Sequence, residues 1–434
     1  MYYSISGWSL MNKVTLFTVC TLISDTITSL SFLQRAKKIA TAFVRKRKMP
    51  FCDIMWFVIS CTNKILQTEL DEYFAKKDEE SVSRQAFSKA RENIKYEAFI
   101  DLNDLLIQKF ETEDGAIATY RGYRLFSVDG TWINLPNTPV LREHFGCSSN
   151  NSDKTYASAL GITAFDVLNK LTVFAELYRN DDSEKRRILD ISDGVAKLYK
   201  EKIIWLLDRG YPSLALFAKL IDNEQNFVIR VSSQSLAEIN NANEPEQTIK
   251  VTRGTTSVTL RVVNITLSSG ENEKLVTNLF SNFTLDVFAE LYAKRWNIET
   301  NYRFLKRKTY LEVFTGESVT AIMQDFHSTI LVLNMAAIAE REQEDVLATN
   351  NAVCKKGKHR GCIYRPNKTK IIRDIKSNFV KLMLCESDVC KVIRQFVLYK
   401  TIKRFAFLDV PDRHYSRDGM KIRTRRASRS KQAL

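Results

Sequence analysis

Two acidic residues, far apart in the sequence, each close a run of apolar residues. Asp129 follows the run from Tyr123 to Val128, and Asp208 follows the run from Lys202 to Leu207. Each run predicts a strand, whose end would hold a carboxylate with little freedom to move. Two carboxylates on neighbouring strand ends repel each other unless a cation lies between them. The pair predicts a divalent-metal site, whereas either acid alone would suit a turn or a helix cap.

A third acid, Glu299, lies in a segment with the apolar spacing of a long helix from about Leu285 to Lys308. Rotation of about 100° per residue puts Tyr292, Arg295, Glu299 and Lys306 within an arc of about 60°. Apolar residues occupy the adjacent stripe, so the polar stripe should lie at the edge of the core, where Glu299 can reach both aspartates. The alternative is a surface helix in which Arg295 pairs with Glu299 one turn later.

The elements around these acids suggest a helical segment followed by an α/β core. Residues 1 to about 115 have helical spacing, and the helix predicted from Ser81 to Phe99 has Arg and Lys on one face. That face could recognise DNA ends or simply face solvent. Strands at Tyr156 to Phe165 and Leu171 to Tyr178 are expected to form an antiparallel meander with the strand before Asp129.

The remaining elements alternate along the chain. The sequence predicts a helix from Ser183 to about Tyr199, a helix from Pro212 to about Ile221 and a strand from Asn226 to Val231. Residues 232–280 are polar and β-rich, with a turn at Arg253 to Thr255, and predict a small inserted sheet. Residues 346–413 should be mostly helical, and the basic residues 414–434 should be disordered.

Composition limits the class of partner. The chain has 434 residues, with 65 Lys and Arg against 50 Asp and Glu, a formal charge of +15 and a pI near 9.3. This balance favours a phosphate-rich partner, although ribosomal, membrane-surface and ordinary soluble proteins share it. Eight scattered cysteines and the lack of a secretory leader predict reduced thiols in the cytosol. The apolar run from Val14 to Ile23 is too short to span a bilayer.

Other residue clusters carry weaker signals. Five residues of the C-terminal region could be drawn into a zinc site, but the paired C-x2-C spacing is lacking and incidental thiols are the preferred interpretation: Cys354, His359, Cys362, Cys385 and Cys390. His144 and His327 have no nearby acid and nucleophile that would predict an acyl-transfer triad.

The spacing of Tyr292, Arg295, Glu299 and Lys306 is Y-x2-R-x3-E-x6-K. This spacing resembles the signature of bacterial insertion-sequence DDE transposases of the IS-four type. The segments SVDGTWINLPNT around Asp129 and WLLDRGYPS around Asp208 are similar to the same family, as is the stretch from Phe314 to Phe326, so the resemblance covers about residues 80 to 400.

The resemblance implies an α/β fold. A ribonuclease H-like catalytic core (residues 116–231 and 281–345) would contain the β-rich insertion 232–280 and follow a helical N-terminal DNA-binding domain, residues 1–115. It also implies two Mg²⁺ or Mn²⁺ ions bound by Asp129, Asp208 and Glu299. One ion would activate water or a DNA 3′-hydroxyl, and the other would stabilise the leaving oxygen.

The DNA contacts implied by the resemblance involve Tyr292, Arg295 and Lys306 of the signature, and Arg209 is a further candidate. Family members often cut through a hairpin at the transposon end. Trp132 and Trp296 are candidates to stack on a flipped base only because they lie near the acids in sequence.

The implied activity is cut-and-paste transposition, in which transposon ends are cleaved and the freed 3′-hydroxyls are joined to target DNA. The expected partners are double-stranded DNA at the inverted-repeat ends and at the target, with a homodimer assembled on it. The expected location is the bacterial cytoplasm, at the nucleoid, with no membrane association. Two alternatives are a related nuclease without strand transfer and a non-catalytic protein that occupies element ends.

Overall fold

The computed structural model describes residues 13–62, 64–115, 117–149, 155–199, 202–232, 235–266, 272–295, 311–354, 363–384 and 407–409. The chain divides into two compact units. The helical unit comprises Met1–Ala116, Asn134–Ser158 and Leu305–Leu434, and the sheet unit comprises Ile117–Ile133 and Ala159–Phe304. The domain boundaries expected from the sequence stay predictions.

The elements are numbered in chain order. The helices are α1 (Leu16–Thr28), α2 (Leu30–Ala36), α3 (Phe51–Ser60), α4 (Leu66–Ala75), α5 (Arg84–Arg91), α6 (Glu97–Glu113), α7 (Pro139–Phe145), α8 (Glu184–Ala196), α9 (Leu214–Asp222), α10 (Ala237–Asn240), α11 (Leu285–Ala293), α12 (Val319–Cys354) and α13 (Lys368–Leu384). The strands are β1 (Tyr123–Asn134), β2 (Cys147–Ser149), β3 (Thr155–Asp166), β4 (Leu171–Arg179), β5 (Lys202–Leu207), β6 (Asn226–Arg230), β7 (Glu246–Arg253), β8 (Thr256–Thr266), β9 (Asn272–Thr277), β10 (Ile363–Arg365) and β11 (Phe407–Asp409).

A mixed sheet forms the core of the sheet unit, in the order β4-β3-β1-β5-β6-β9-β8-β7. Strands β1, β5 and β6 are parallel, and β3 with β4 forms the antiparallel hairpin expected from the sequence. Strand β5 is buried from Ile203 to Leu207. A continuous apolar run suits a strand covered on both faces, so the sequence pattern predicted this central position correctly.

Two strand predictions need correction. Residues 232–280 do not form a separate sheet, because β9 pairs with β6 and thereby adds β7, β8 and β9 to the main sheet. The predicted turn between β7 and β8 is present, with Gly254 at φ 56°. Strand β1 does not end at Asp129 but continues to Asn134. Its other neighbour, β3, continues beside it, and Ile133 lies against Gly161 of β3.

Helix α12 is the central helix of the helical unit and packs against α3, α6 and α13. Its segment Val319–Glu344 is long and apolar enough to cross a membrane, yet 94% of its most apolar stretch is buried inside the protein. Helices α1 and α2 pass the same test only as a pair bent by 71°. Polar contacts also anchor α12, since Asn334 donates to Asn103 at 2.7 Å and Arg341 contacts Asp114 at 2.6 Å.

The basic face predicted for the helix at Ser81 to Phe99 is only partly exposed. Lys89 faces solvent, whereas Arg91 at the end of α5 is 1% exposed. Its guanidinium donates to Gln324 at 2.7 Å and to Asp325 at 2.8 Å, and it also contacts Thr315. Arg91 therefore joins α5 to the start of α12, and the expectation that it belongs to a solvated or DNA-facing surface is wrong.

Candidate active site at the sheet edge

Asp129 and Asp208 occupy matching positions on adjacent parallel strands. The register pairs Tyr123 with Lys202 and Phe126 with Trp205, and its continuation by three residues sets Asp129 beside Asp208. The hydroxyl of Ser127 donates to the carbonyl of Leu206 at 2.7 Å, so the strands are still adjacent near that point. Matching residues of neighbouring parallel strands face the same side, with backbones about 5 Å apart. The two carboxylates expected to meet are therefore neighbours at the edge of β5.

A further carboxylate, Glu184, lies beside Gly130, the residue that follows Asp129. Glu184 is the first residue of α8, and its carboxylate accepts a hydrogen bond from the Tyr211 hydroxyl at 2.7 Å. The backbone N–H of Gly130 donates to Asp129 at 3.0 Å and also interacts with Glu184. Because one N–H serves both acids, Glu184 belongs to the surroundings of Asp129 as well as to those of Tyr211.

The pKa of Glu184 reflects both its burial and its neighbours. Burial raises the pKa of Glu184 and the negative charge of Asp208 raises it further, while hydrogen bonds from Tyr211 and Gly130 act in the opposite direction. Asp208 accepts from the backbone N–H of Arg209 at 2.7 Å. In the part of the chain that the structure describes, neither Asp208 nor Glu184 forms an ion pair. Crowded carboxylates of this kind are typical of sites that bind a cation.

The helix that carries Tyr292 ends before Arg295. Helix α11 ends at Ala293, and the N–H groups of Lys294 and Arg295 bond to carbonyls three residues back instead of four. The helix therefore tightens and stops before Arg295, so the predicted helix from Leu285 to Lys308 is interrupted at Lys294 and Arg295. Residues 296–310, which include Glu299, Lys306 and Trp296, lie outside the described residues.

Tyr292 and Arg295 are both buried, at 2% and 3% exposure. The Arg295 guanidinium lies 5.5 Å from the centre of the Tyr292 ring. Burial raises the pKa of Tyr292; Arg295 lowers it, and the charge of Asp208 raises it. The end of α11 is thus near enough to Asp208 for that charge to raise the pKa of Tyr292. Both side chains are more deeply buried than residues at the edge of the core, where the sequence had placed them.

Arg209 and Trp132 are exposed, and Trp132 retains 49% of its accessible surface. Arg209 directly follows Asp208, so its side chain is available to a ligand that approaches the carboxylates. The roles assigned from sequence to Arg209, Tyr292, Arg295 and Lys306 in DNA binding stay predictions.

The donor set fits a hard divalent cation, because Mg²⁺ prefers carboxylate oxygens. Within the described ranges, no three acidic, histidine or cysteine side chains are grouped to hold a metal ion. The described part of the site supplies the two aspartates that would hold such an ion, and the predicted third ligand, Glu299, falls in the undescribed stretch. Of the candidate zinc ligands, only Cys354 is in a described segment, and nothing is described of its side chain.

Sequence reasoning missed Glu184. Its surroundings, Asp182-Ser183-Glu184, match the ordinary start of a helix, where an acid in the first turn is favoured by the helix dipole. Ser183 occupies the N-cap position but makes no side-chain capping bond. The one signal in the sequence is Gly130, since a glycine beside a candidate catalytic acid marks the close approach of another group.

Residues 120–335 match the family model described as the transposase DDE domain. This segment, close to half of the chain, contains β1, β5, Asp129, Asp208 and Glu299. No curated protein matches the chain. Among solved structures, the chain is similar to the piggyBac transposase, seen in a cryo-EM synaptic complex with hairpin DNA. The identity is 11%, the TM-score is 0.44, and the similarity covers 94% of this chain and 88% of that chain.

Proposed function

We propose that this protein is a DNA transposase that cleaves the ends of its element and joins them to target DNA by metal-dependent phosphodiester chemistry. The observation that carries the proposal is the register of β1 on β5, which sets Asp129 beside Asp208. The family match of residues 120–335 supports the same reading. The order β4-β3-β1-β5-β6, an antiparallel hairpin followed by parallel strands, supports a ribonuclease H-like core.

Asp129, Asp208 and Glu299 would hold two Mg²⁺ or Mn²⁺ ions. Such ions supply Lewis-acid stabilisation of charge on the attacking and leaving oxygens of phosphoryl transfer. Asp129 lies in β1 and Asp208 directly follows β5, so the pairing of these strands would limit how far the two carboxylates can move apart. Arg209, which is exposed, and Lys306 would contact DNA phosphates near the scissile bond. Tyr292 and Arg295, expected beside them from the signature, are buried in this structure.

A basic groove in the helical unit is the proposed surface for the DNA duplex. The groove has a volume of about 1330 Å³ and is lined by the loop between α2 and α3 together with α5. Six of its lining residues are cationic: Arg45, Lys46, Arg47, Lys48, Lys77 and Lys89. Its three carboxylates are already paired, Asp53 and Glu79 with Lys77 and Glu80 with Lys48.

The loop that carries these cations is held in place by packing against α3. The Phe43 ring packs against Phe51 of α3, with centroids 5.6 Å apart. Residues 44–48 are exposed, and Arg45, Lys46 and Arg47 form no ion pair with a described residue. Fixed and uncompensated cations are suited to a phosphate backbone, because neutralising phosphates releases the counterions of the DNA.

Double-stranded DNA, at the element ends and at the target, is therefore the proposed partner, bound by a homodimer. The bacterial cytoplasm at the nucleoid is the proposed location. Because Val319–Glu344 is buried as the core of the helical unit, its apolar composition serves packing, and no membrane role is proposed.

The decisive experiment incubates the purified protein with a labelled duplex carrying an element end, Mg²⁺ or Mn²⁺, and a second plasmid. The wild type should cut the duplex and join the cut ends to the plasmid. Glu299→Gln should bind the duplex but not cut it, and the control Glu224→Gln, at an exposed acid, should behave as the wild type. Cutting by Glu299→Gln would reject the assignment of that residue.

The same assay separates the two alternatives. Cleavage without joining to the plasmid would identify a nuclease that lacks strand transfer. Binding by the wild type without any turnover would identify a non-catalytic DNA-binding protein. Either outcome would overturn the proposed transposase activity.

A further inference from the structure

We propose that Glu184 and Tyr211 form a hydrogen-bonded clamp that positions Asp129 and Asp208 for catalysis. The inference rests on the proposed function and adds two residues that the transposase signature does not contain. Glu184 acts through the aspartates and is a positioning residue.

The clamp joins three separate segments of the sheet unit. Glu184 begins α8, Gly130 follows Asp129 in β1, and Tyr211 lies three residues after Asp208. The Tyr211 hydroxyl is 2.7 Å from the Glu184 carboxylate and 3.2 Å from the carbonyl oxygen of Val128. Tyr211 is 2% exposed, so these polar contacts are shielded from water. Tyr211 therefore links the loop after β5 to α8, and its hydroxyl also lies against β1 at the residue directly before Asp129.

Gly130 fits this arrangement. A Cβ atom at position 130 would lie 2.5 Å from Cδ and Cγ of Glu184, which is far inside van der Waals contact. The φ angle of Gly130 is outside the left-handed region, so the backbone itself does not require glycine. The absence of a side chain at position 130 is what allows Glu184 to approach β1.

The groups that contact the Glu184 side chain require an oxygen that accepts hydrogen bonds. Its partners, the Tyr211 hydroxyl and the Gly130 N–H, are both donors. A glutamine has the same length and an oxygen that accepts hydrogen bonds, whereas alanine removes the whole bridge. The clamp therefore predicts that Glu184→Gln restores what Glu184→Ala loses.

The experiment compares Glu184→Ala, Glu184→Gln, Tyr211→Phe and the control Asp190→Ala, which removes an exposed acid from the same helix. The measurements are the single-turnover cleavage rate at saturating duplex, the Kd for duplex, and the rise in melting temperature caused by Mn²⁺. Glu184→Ala should slow cleavage at least about tenfold, the usual effect of losing a group that orients metal ligands, with an unchanged Kd. Its Mn²⁺-induced rise in melting temperature should be smaller than that of the wild type.

Glu184→Gln should cleave at a rate close to that of the wild type and well above that of Glu184→Ala, because it keeps the acceptor oxygen. Tyr211→Phe should be slowed, and Asp190→Ala should be unchanged. A Glu184→Gln variant as slow as Glu184→Ala would show that the negative charge itself is needed and would overturn the clamp. If Glu184→Ala fails to fold, Tyr211→Phe decides: a wild-type rate rejects the clamp. If the wild type does not cleave the duplex, the proposed function is rejected. If the wild type cleaves and Glu184→Ala cleaves equally fast, only the clamp is rejected.

Discussion

The ion pairs that join the helices of the helical unit contrast with the carboxylates at the candidate site of the sheet unit. In the helical unit, Arg91 contacts Asp325, Lys77 contacts Asp53 and Arg341 contacts Asp114. The sheet unit also has a buried ion pair, between Arg124 and Asp166. At its candidate site, however, burial and the negative charge of Asp208 raise the pKa of Glu184, and neither acid forms an ion pair within the described residues. Paired charges fix the packing of helices, whereas crowded like charges are costly to bury and mark a site that a ligand completes.

The largest expected effect is the loss of cleavage in Asp208→Asn. Its cleavage rate should fall about 10⁴-fold, as expected for removal of a catalytic carboxylate. Its free energy of unfolding should stay equal to or above that of the wild type, because the substitution removes a repulsive charge beside Glu184. Cleavage kinetics and chemical denaturation test both statements, with Asp222→Asn, at an exposed acid of the same unit, as the control. A clear loss of stability would break the comparison, since Asp208 would then be a structural acid.

In the helical unit, Arg91→Leu should lower the free energy of unfolding, unlike Asp208→Asn. The substitution leaves Asp325 without its cation in a site where Arg91 is 1% exposed. The free energy of unfolding should fall by about 3–5 kcal/mol, the usual cost of removing one partner of a buried ion pair. Denaturant titration measures the change, and Arg84→Leu, at a half-buried arginine of the same helix, should stay within about 0.5 kcal/mol of the wild type. Equal stability of the two variants would contradict the structural role of Arg91.

The next prediction asks whether Arg45, Lys46 and Arg47, which form no ion pair with a described residue, bind DNA. The triple variant Arg45→Gln, Lys46→Gln, Arg47→Gln removes three candidate phosphate contacts, each contributing about 0.9 to the slope of log affinity against log salt. Between 50 and 200 mM salt, the wild type should therefore lose about 40-fold more duplex affinity than the variant. Fluorescence anisotropy at several salt concentrations measures the two slopes.

The matched control for the groove carries three substitutions with the same change of charge, Lys64→Gln, Lys95→Gln and Lys109→Gln. These lysines belong to the helical unit but do not line the groove. Their removal should leave the salt slope near that of the wild type. An equal reduction in both variants would assign the effect to net charge and not to the groove.

Much of the sheet was predictable from the sequence because strand periodicity is local. The apolar run before Asp208, the hairpin of β3 and β4 and the turn at Gly254 each follow from neighbouring residues. The pairing of β9 with β6 joins residues about fifty positions apart, and no local pattern specifies which strand edge is covered. The predicted separate sheet failed for that reason.

The two aspartates could be predicted because each ends an apolar run, whereas Glu184 could not. An acid at the first position of a helix has the same sequence pattern whether it stabilises the helix dipole or contacts another strand. Arg91 illustrates the same limit, since a cation on an amphipathic helix looks solvated until its distant partner, Asp325, is known.

His327 offers the smallest effect and tests whether the helical unit also buries a titratable group in its neutral form. Burial lowers the pKa of His327 to about 3, and its ring stacks on Tyr96 with centroids 5.7 Å apart. Below about pH 6.5, the pKa of histidine in the unfolded chain, the unfolded chain binds a proton at His327 and the folded protein does not. The free energy of unfolding should therefore fall as the pH decreases. Between pH 7 and 5, His327→Phe should reduce this loss by about 2 kcal/mol, while His144→Phe, at an exposed histidine, should not. Denaturation at both pH values measures the difference. An unchanged pH dependence in His327→Phe would mean that the buried ring is protonated in the folded state, so that burial would not keep this histidine neutral.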